Sequence, residues 1–421
     1  MKKALIIFIL FSIIASGINY LAYPILGRLL PNSEYIDITI SLSFLTQITT
    51  FLSSIIAITI GLTKDKKNDE TNIIEALQAI LFRLFLGLAL AMALLSPYIF
   101  NAIGIPILFL IPLVLIMLVS LPLTIVSGYL NGKGLLVKLG LVAVISASLQ
   151  LTIGATVGYF SQSGFLTVLS MSIAQIIAIC FIYYVFKREK LPSPFGIFTI
   201  KKESLAKHPE LKRLVIYTAL ASLAIMAVSL SQVLDLVIIN AQTPSGSKFY
   251  TDIYVVSRMV FFAGMIFVWP FLSEISLQSP RDNLKPVLKL LGFFTLITVS
   301  VVAILALLGA PLIYFLFGVW YEHGDVFVTG SLSVVYKFML LVITAITLYF
   351  IVFRSKYAIF YALLASGALF TYSSLHDNSF STVQIITHMV IISGLATLIG
   401  VCLITKHIYG TRQKLSPDKI L

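Results

Sequence analysis

Ala143-Val-Ile-Ser-Ala-Ser-Leu-Gln-Leu-Thr152 is a continuous run of apolar and small residues broken by one glutamine and one threonine. A bilayer-crossing strand alternates lipid-facing and lumen-facing residues over about ten positions. This stretch does not alternate, and so reads as helix. The same texture recurs along the chain near 4–27, 35–62, 74–100, 105–130, 136–160, 164–186, 214–241, 249–277, 287–309, 328–352, 357–374 and 382–405. Each stretch is near or above the roughly 20 residues that a helix needs to cross a hydrocarbon core. The expected fold is therefore an all-α integral membrane protein of about twelve transmembrane helices. Composition agrees: 11% of the 421 residues are charged, against about 25% in soluble domains, and mean hydropathy is +1.03.

Cytoplasmic loops retain Lys and Arg. With the N-terminus inside, most of the 29 basic residues fall on cytoplasmic segments, including Lys2, Lys3, Lys64, Lys66, Lys67, Arg354, Lys356 and the group between Lys187 and Arg213. The outer segments keep Arg28 and Lys248, and the outer loops around Glu322/Asp325 and Asp377 carry no base. The pattern places both termini in the cytoplasm of a cytoplasmic-membrane protein. It also assigns most of the +12 net charge to topology and to anionic lipid head groups, so nucleic-acid binding is discarded. The N-terminal Lys-Lys and apolar run continue without a small-residue cleavage site and read as the first span rather than as a signal peptide. Cys180 and Cys402 both fall within spans, where a thiol behaves as a small apolar group.

The polar, proline-containing segment 187–213 follows the sixth span. It divides the chain into an N-terminal lobe (1–186), a basic cytoplasmic linker (187–213) and a C-terminal lobe with a short tail (214–421). The halves share an offset of 214 residues: Ser33-Glu-Tyr35 matches Ser247-Lys-Phe249, and Pro97-Tyr-Ile-Phe-Asn-Ala-Ile-Gly104 matches Pro311-Leu-Ile-Tyr-Phe-Leu-Phe-Gly318. An even number of spans between copies makes this a parallel repeat, an arrangement in which transporters place substrate between halves and expose it alternately.

Three stretches carry a family resemblance: Ile25-Leu-Gly-Arg-Leu-Leu-Pro-Asn-Ser-Glu-Tyr35 after span 1, Ser127-Gly-Tyr-Leu-Asn-Gly-Lys-Gly134 between spans 4 and 5, and Pro311 to Gly318. Together with Asp235 in span 7 and Pro270-Phe-Leu-Ser273, they resemble the polysaccharide transporter, or Wzx-like oligosaccharide flippase, family of the multidrug/oligosaccharidyl-lipid/polysaccharide (MOP, MATE-like) superfamily. The chain departs from it at Ile36 and Tyr250, where relatives commonly have glycine. The resemblance implies two six-helix lobes and a flippase that moves a polyprenyl-diphosphate oligosaccharide to the outer leaflet for surface polysaccharide assembly. Lipid-linked oligosaccharide, anionic lipids and polysaccharide assembly proteins are the implied partners.

A charge near the bilayer centre costs about 2.5–3.5 kcal/mol on insertion scales, so such groups face a wet cavity or a partner. Arg83, Arg258 and Lys337 lie within spans, and Arg28 lies at the outer end of span 1. These four are the candidate substrate-binding bases, since a guanidinium fork matches phosphate oxygens in pairs. Asp235, Asp37 and Asp252 are the acidic candidates, for ion coupling or for ion pairing. The close hairpin of spans 7 and 8 makes an Asp235–Arg258 pair the expected structural alternative. Pro24 is the candidate gating kink. Gln47, Gln78, Gln150, Gln175 and Gln232 are expected as interhelical hydrogen-bonding glue, and His388 is expected to be satisfied by a neighbouring carbonyl.

No metal-ligand spacing, catalytic triad or Walker loop is readable. The chain is therefore expected to be a transporter and not an enzyme, with no cofactor. Its drive would come from an ion gradient (Na+ and H+ both remain open), the membrane potential or the substrate gradient. Two competing readings stand: a cation-coupled multidrug or metabolite exporter of the same superfamily, and a membrane glycan polymerase or ligase, which the short outer loops disfavour.

Overall fold

The computed structural model describes residues 2–51, 56, 82–83, 86–87, 90, 93–94, 97–98, 106–133, 135–185, 209–242, 247–275, 284–352, 355, 357–375 and 380–413. Among these, every regular element is a helix. In chain order they are α1 (Lys2–Leu29), α2 (Asn32–Phe51), α3 (Leu110–Gly132), α4 (Leu136–Ser161), α5 (Gly164–Val185), α6 (Pro209–Gln242), α7 (Ser247–Ile275), α8 (Leu284–Phe317), α9 (His323–Val352), α10 (Tyr357–Leu375) and α11 (Thr382–Gln413). A single 3₁₀ turn, Ile107–Phe109, leads into α3.

Nine helical segments among the described residues are long and apolar enough to cross a membrane, and Tyr357–Ser373 is a shorter apolar helix. The remaining two expected spans are α2, whose expected last part, 52–55 and 57–62, falls outside the described residues, and the stretch near 74–100, which is helical wherever it is described. Twelve membrane-crossing positions are thus consistent with the structure. Most of the segment expected as a linker, 187–208, also lies outside the described residues.

Several helices outrun their expected bounds. α6 begins at Pro209, because proline at the first helical position gives up an N–H that has no intrahelical partner there. α8 passes through Pro311 to Phe317, and it stops where Gly318 takes φ +75°. The Gly318 N–H then donates to the Tyr314 carbonyl at 2.8 Å, a left-handed cap that only glycine adopts without a Cβ clash. α1 likewise continues past the buried Pro24 to Leu29.

The chain packs as two compact units, Met1–Met226 and Ala227–Leu421, with the division inside α6. In the first unit α4 packs on α1 and on α5, and α5 packs on α3 and α2. The Glu34 carboxylate in α2 accepts the Gly164 N–H at the start of α5 at 2.6 Å, placing a negative charge on a helix N-terminus. In the second unit α9 is the hub, packed by α7, α8, α10 and α11. Tyr336, Lys337, Leu340, Leu341, Thr344 and Thr347 of α9 are fully buried. α8 instead turns Leu296, Leu307 and Phe315 outward, as a lipid-facing helix does.

Candidate functional site

Three helices of the second unit bring polar side chains to one place. On α6, Gln232 and Asp235 are three residues apart and share a face. On α7, Tyr250, Tyr254 and Arg258 recur every fourth residue and so form a stripe. On α9, Ser333, Tyr336 and Lys337 lie on one flank. Serines let the backbones approach: Ser333 Oγ donates to Ser257 Oγ at 2.9 Å, and the Tyr336 hydroxyl donates to the Ser231 carbonyl at 2.6 Å.

Lys337 is the centre of the cluster. Its side chain and that of Asp235 are both 0% exposed. The ammonium donates to Asp235 Oδ2 at 2.7 Å, to Asp235 Oδ1 at 2.8 Å and to the Gln232 carbonyl at 2.7 Å. Those three acceptors match the three N–H donors of an ammonium. The same nitrogen lies 4.5 Å from the Tyr254 ring centroid and 4.9 Å from that of Tyr336, within range of cation–π attraction. The Tyr250 hydroxyl adds a donor to Asp235 Oδ2 at 2.7 Å. Arg258, 3% exposed, lies over Tyr254 at 5.2 Å and over Phe262 at 4.9 Å. Lys337 and Arg258 therefore share the Tyr254 ring.

The ion pair on Asp235 is made by Lys337, which corrects the expected Asp235–Arg258 pair. In α7 the Arg258 guanidinium lies between the rings one turn before and one turn after it, Tyr254 at 5.2 Å and Phe262 at 4.9 Å. The flexible stem of Lys337 carries its ammonium from α9 onto the carboxylate.

A second cluster involves Asp252. Lys248 Nζ pairs with Asp252 Oδ1 at 2.9 Å, and the Tyr321 hydroxyl donates to Asp252 Oδ2 at 3.0 Å. Phe249 packs edge-on against Tyr321, and Lys248 lies 5.5 Å from the Phe317 ring. Burial, with the Asp252 carboxylate beside it, raises the Tyr321 phenol above its ordinary pKa. Asp252 thus has a structural ion pair at the α7 start.

The other sequence candidates lie in the first unit. Arg28 is exposed in the last turn of α1, where a cation complements the helix dipole. Arg83 is helical and exposed, and Asp37 is half-buried in α2. Gln175 does act as glue, donating to Ser120 Oγ at 3.0 Å. His388 Nδ1 meets the Tyr372 hydroxyl at 3.0 Å, a hydroxyl partner where a carbonyl was expected. The sequence reading missed Tyr250, Tyr254, Tyr336 and the Gln232 carbonyl. The four-residue stripe Tyr250–Tyr254–Arg258 is the signal that could have exposed the aromatic part, whereas a backbone carbonyl leaves no sequence trace.

The helix order and this geometry can be set beside known proteins. An outward-facing multidrug resistance MATE family transporter of the MOP superfamily superposes with a TM-score of 0.68 at 14% identity, over 98% of this chain and 97% of the other. The chain has the MATE fold. An inward-facing MATE transporter matches with a TM-score of 0.67 at 14% identity, covering 96% of this chain and 100% of the other. A MOP superfamily transporter from Pyrococcus furiosus, described by the reverse polarity of its binding pocket, matches at 0.65 with 15% identity over 96% of each chain. No family model matches the sequence, and no curated protein does.

The repeat sharpens the site. Asn32 and Ser247 open α2 and α7, Leu110 and His323 open α3 and α9, and Gly164 and Thr382 open α5 and α11, all close to the 214-residue offset. At that offset Asp235, Tyr250, Arg258 and Lys337 correspond to Leu21, Ile36, Phe44 and Leu123. In this MATE-fold chain the charged cluster belongs to the second half alone.

Proposed function

We propose that the chain is an alternating-access transporter that carries a lipid-linked oligosaccharide, a polyprenyl-diphosphate glycan, from the cytoplasmic to the outer leaflet. The observation that supports this reading is the gathering of two cations, Arg258 and Lys337, on one aromatic ring deep in a lobe. A guanidinium and an ammonium beside one ring present cationic donors of the kind that an anionic head group engages. A diphosphate suits them, through the planar Arg fork and the point charge of Lys. The cluster is enclosed in the present conformation, so the head group meets it when the helices part during the cycle, while the lipid tail stays in the bilayer. Both termini lie in the cytoplasm under this reading, with the basic segment 187–213 against anionic lipid. Arg28 and Arg83, exposed on the first unit, are the further bases for acidic sugars. Pro24 would serve as a bend in the outer gate, and Asp37 remains a candidate coupling carboxylate.

The second reading is a cation-coupled multidrug exporter. It is favoured by the descriptions of the MATE neighbours as multidrug resistance transporters.

Proteoliposomes separate the two. A fluorescent polyprenyl-diphosphate disaccharide in the inner leaflet should become accessible to dithionite at least about tenfold faster with the protein than without it. Ethidium should move no faster than in empty vesicles. Rapid ethidium movement together with an unchanged lipid rate would replace this proposal with the exporter.

A further inference from the structure

The ligands around the Lys337 nitrogen form a complete receptor for a primary ammonium. Three oxygen acceptors, Asp235 Oδ1, Asp235 Oδ2 and the Gln232 carbonyl, lie at 2.7–2.8 Å, one for each N–H. The nitrogen also faces two aromatic rings at 4.5 and 4.9 Å, the first of them shared with Arg258. The Tyr250 hydroxyl, bonded to Asp235 Oδ2 at 2.7 Å, holds the carboxylate in place. An alkali cation of comparable charge prefers a fuller shell of oxygens, and aromatic faces are poor substitutes for that shell. An alkylammonium gains from both the oxygens and the rings.

We infer that this cluster is a primary-ammonium binding site filled by the chain's own Lys337, and that removing the lysine side chain leaves a receptor for a small alkylammonium ion. In the present, enclosed conformation the tethered ammonium holds the place, so an external cation, Na+ included, is kept out of it. In this conformation any coupling ion acts elsewhere. The inference concerns this cage only and is independent of the transported substrate.

The geometry sets the length of the ligand. Lys337→Ala keeps Cβ and removes three carbons and the nitrogen, so the missing piece is n-propylammonium. Two purified proteins are compared with wild type in detergent: Lys337→Ala, extracted and kept in propylammonium chloride until exchange, and Asp235→Asn/Lys337→Met, which lacks both the carboxylate and the vacancy. Thermal unfolding is followed at constant ionic strength in methyl-, ethyl-, propyl- and butylammonium, Na+ and K+. A ligand that binds only the folded state raises the midpoint. For Lys337→Ala the expected rise is at least about 5 °C in propylammonium, smaller in the shorter and longer amines and smaller again in Na+ or K+. The wild type and the double variant should stay within about 1 °C. The inference is overturned if Lys337→Ala is not recovered folded even in propylammonium. It is also overturned if its midpoint does not move, if Na+ or K+ raises it as much as the amine does, if chain length makes no difference, or if the double variant responds equally.

Discussion

Asp235→Ala is expected to destabilise the protein by about 3–5 kcal/mol, the range for leaving one member of a buried ion pair without its partner. Lys337 would keep only the Gln232 carbonyl among its three oxygen acceptors, and the Tyr250 hydroxyl would lose the carboxylate that it reaches at 2.7 Å. A marginal folded state does not readily absorb such a loss, so the yield of monodisperse protein should fall sharply. Removing both charges is a different matter. Asp235→Asn/Lys337→Met leaves no orphaned ion, and buried pairs exchanged for residues of similar size are often neutral or stabilising. Thermal unfolding of wild type, Asp235→Asn, Lys337→Met and the double variant gives the coupling directly. An Asp235→Ala protein as stable as wild type would mean that Lys337 does not depend on this carboxylate.

The second large effect lies one step out from the cluster. Gly264 of α7 faces Leu341 of α9 so closely that an added Cβ would overlap the Leu341 methyl carbons. Leu341 is wholly buried and has little freedom to yield. Gly264→Leu is expected to cost about 3 kcal/mol, the upper end of the usual range for overpacking a close-packed core. Leu341 follows Lys337 by one helical turn, and Gly264 lies within two turns of Arg258, so forcing α7 from α9 would also spread the cations. Gly264→Ala should cost less, because alanine recovers about 1 kcal/mol of helix propensity over glycine. Melting both variants, with Gly264→Leu/Leu341→Ala as the compensating pair, checks this: the pair should regain part of the loss. An unaffected Gly264→Leu melt would contradict the close contact.

Charge scarcity made the membrane helices and the parallel repeat legible. With so few ionisable residues, each apolar stretch stood out, and Asp235, Arg258 and Lys337 were visible as residues that need a reason to lie in lipid. What sequence could not provide was their pairing. Arg258 follows Asp235 across a short hairpin and was the natural partner by proximity, whereas Lys337 lies 102 positions away and meets Asp235 only because α9 packs as the hub of its unit. The Gln232 carbonyl was invisible for a different reason, since backbone groups carry no residue code. Two helix ends differ from the expected bounds at prolines: Pro209 begins α6, and Pro311 is carried inside α8.

The measurement that tests the central claim most directly is leaflet exchange of the fluorescent polyprenyl-diphosphate disaccharide in vesicles holding equal amounts of folded wild type or Arg258→Ala. Arg258 lies beside the ion pair without being the partner of Asp235 in it, so its loss removes a cation from the cluster while leaving the Lys337–Asp235 bonds in place. The account predicts that the variant remains folded and that its exchange rate falls at least about tenfold, the equivalent of about 1.4 kcal/mol of lost stabilisation. Exchange by folded Arg258→Ala at the wild-type rate would contradict it.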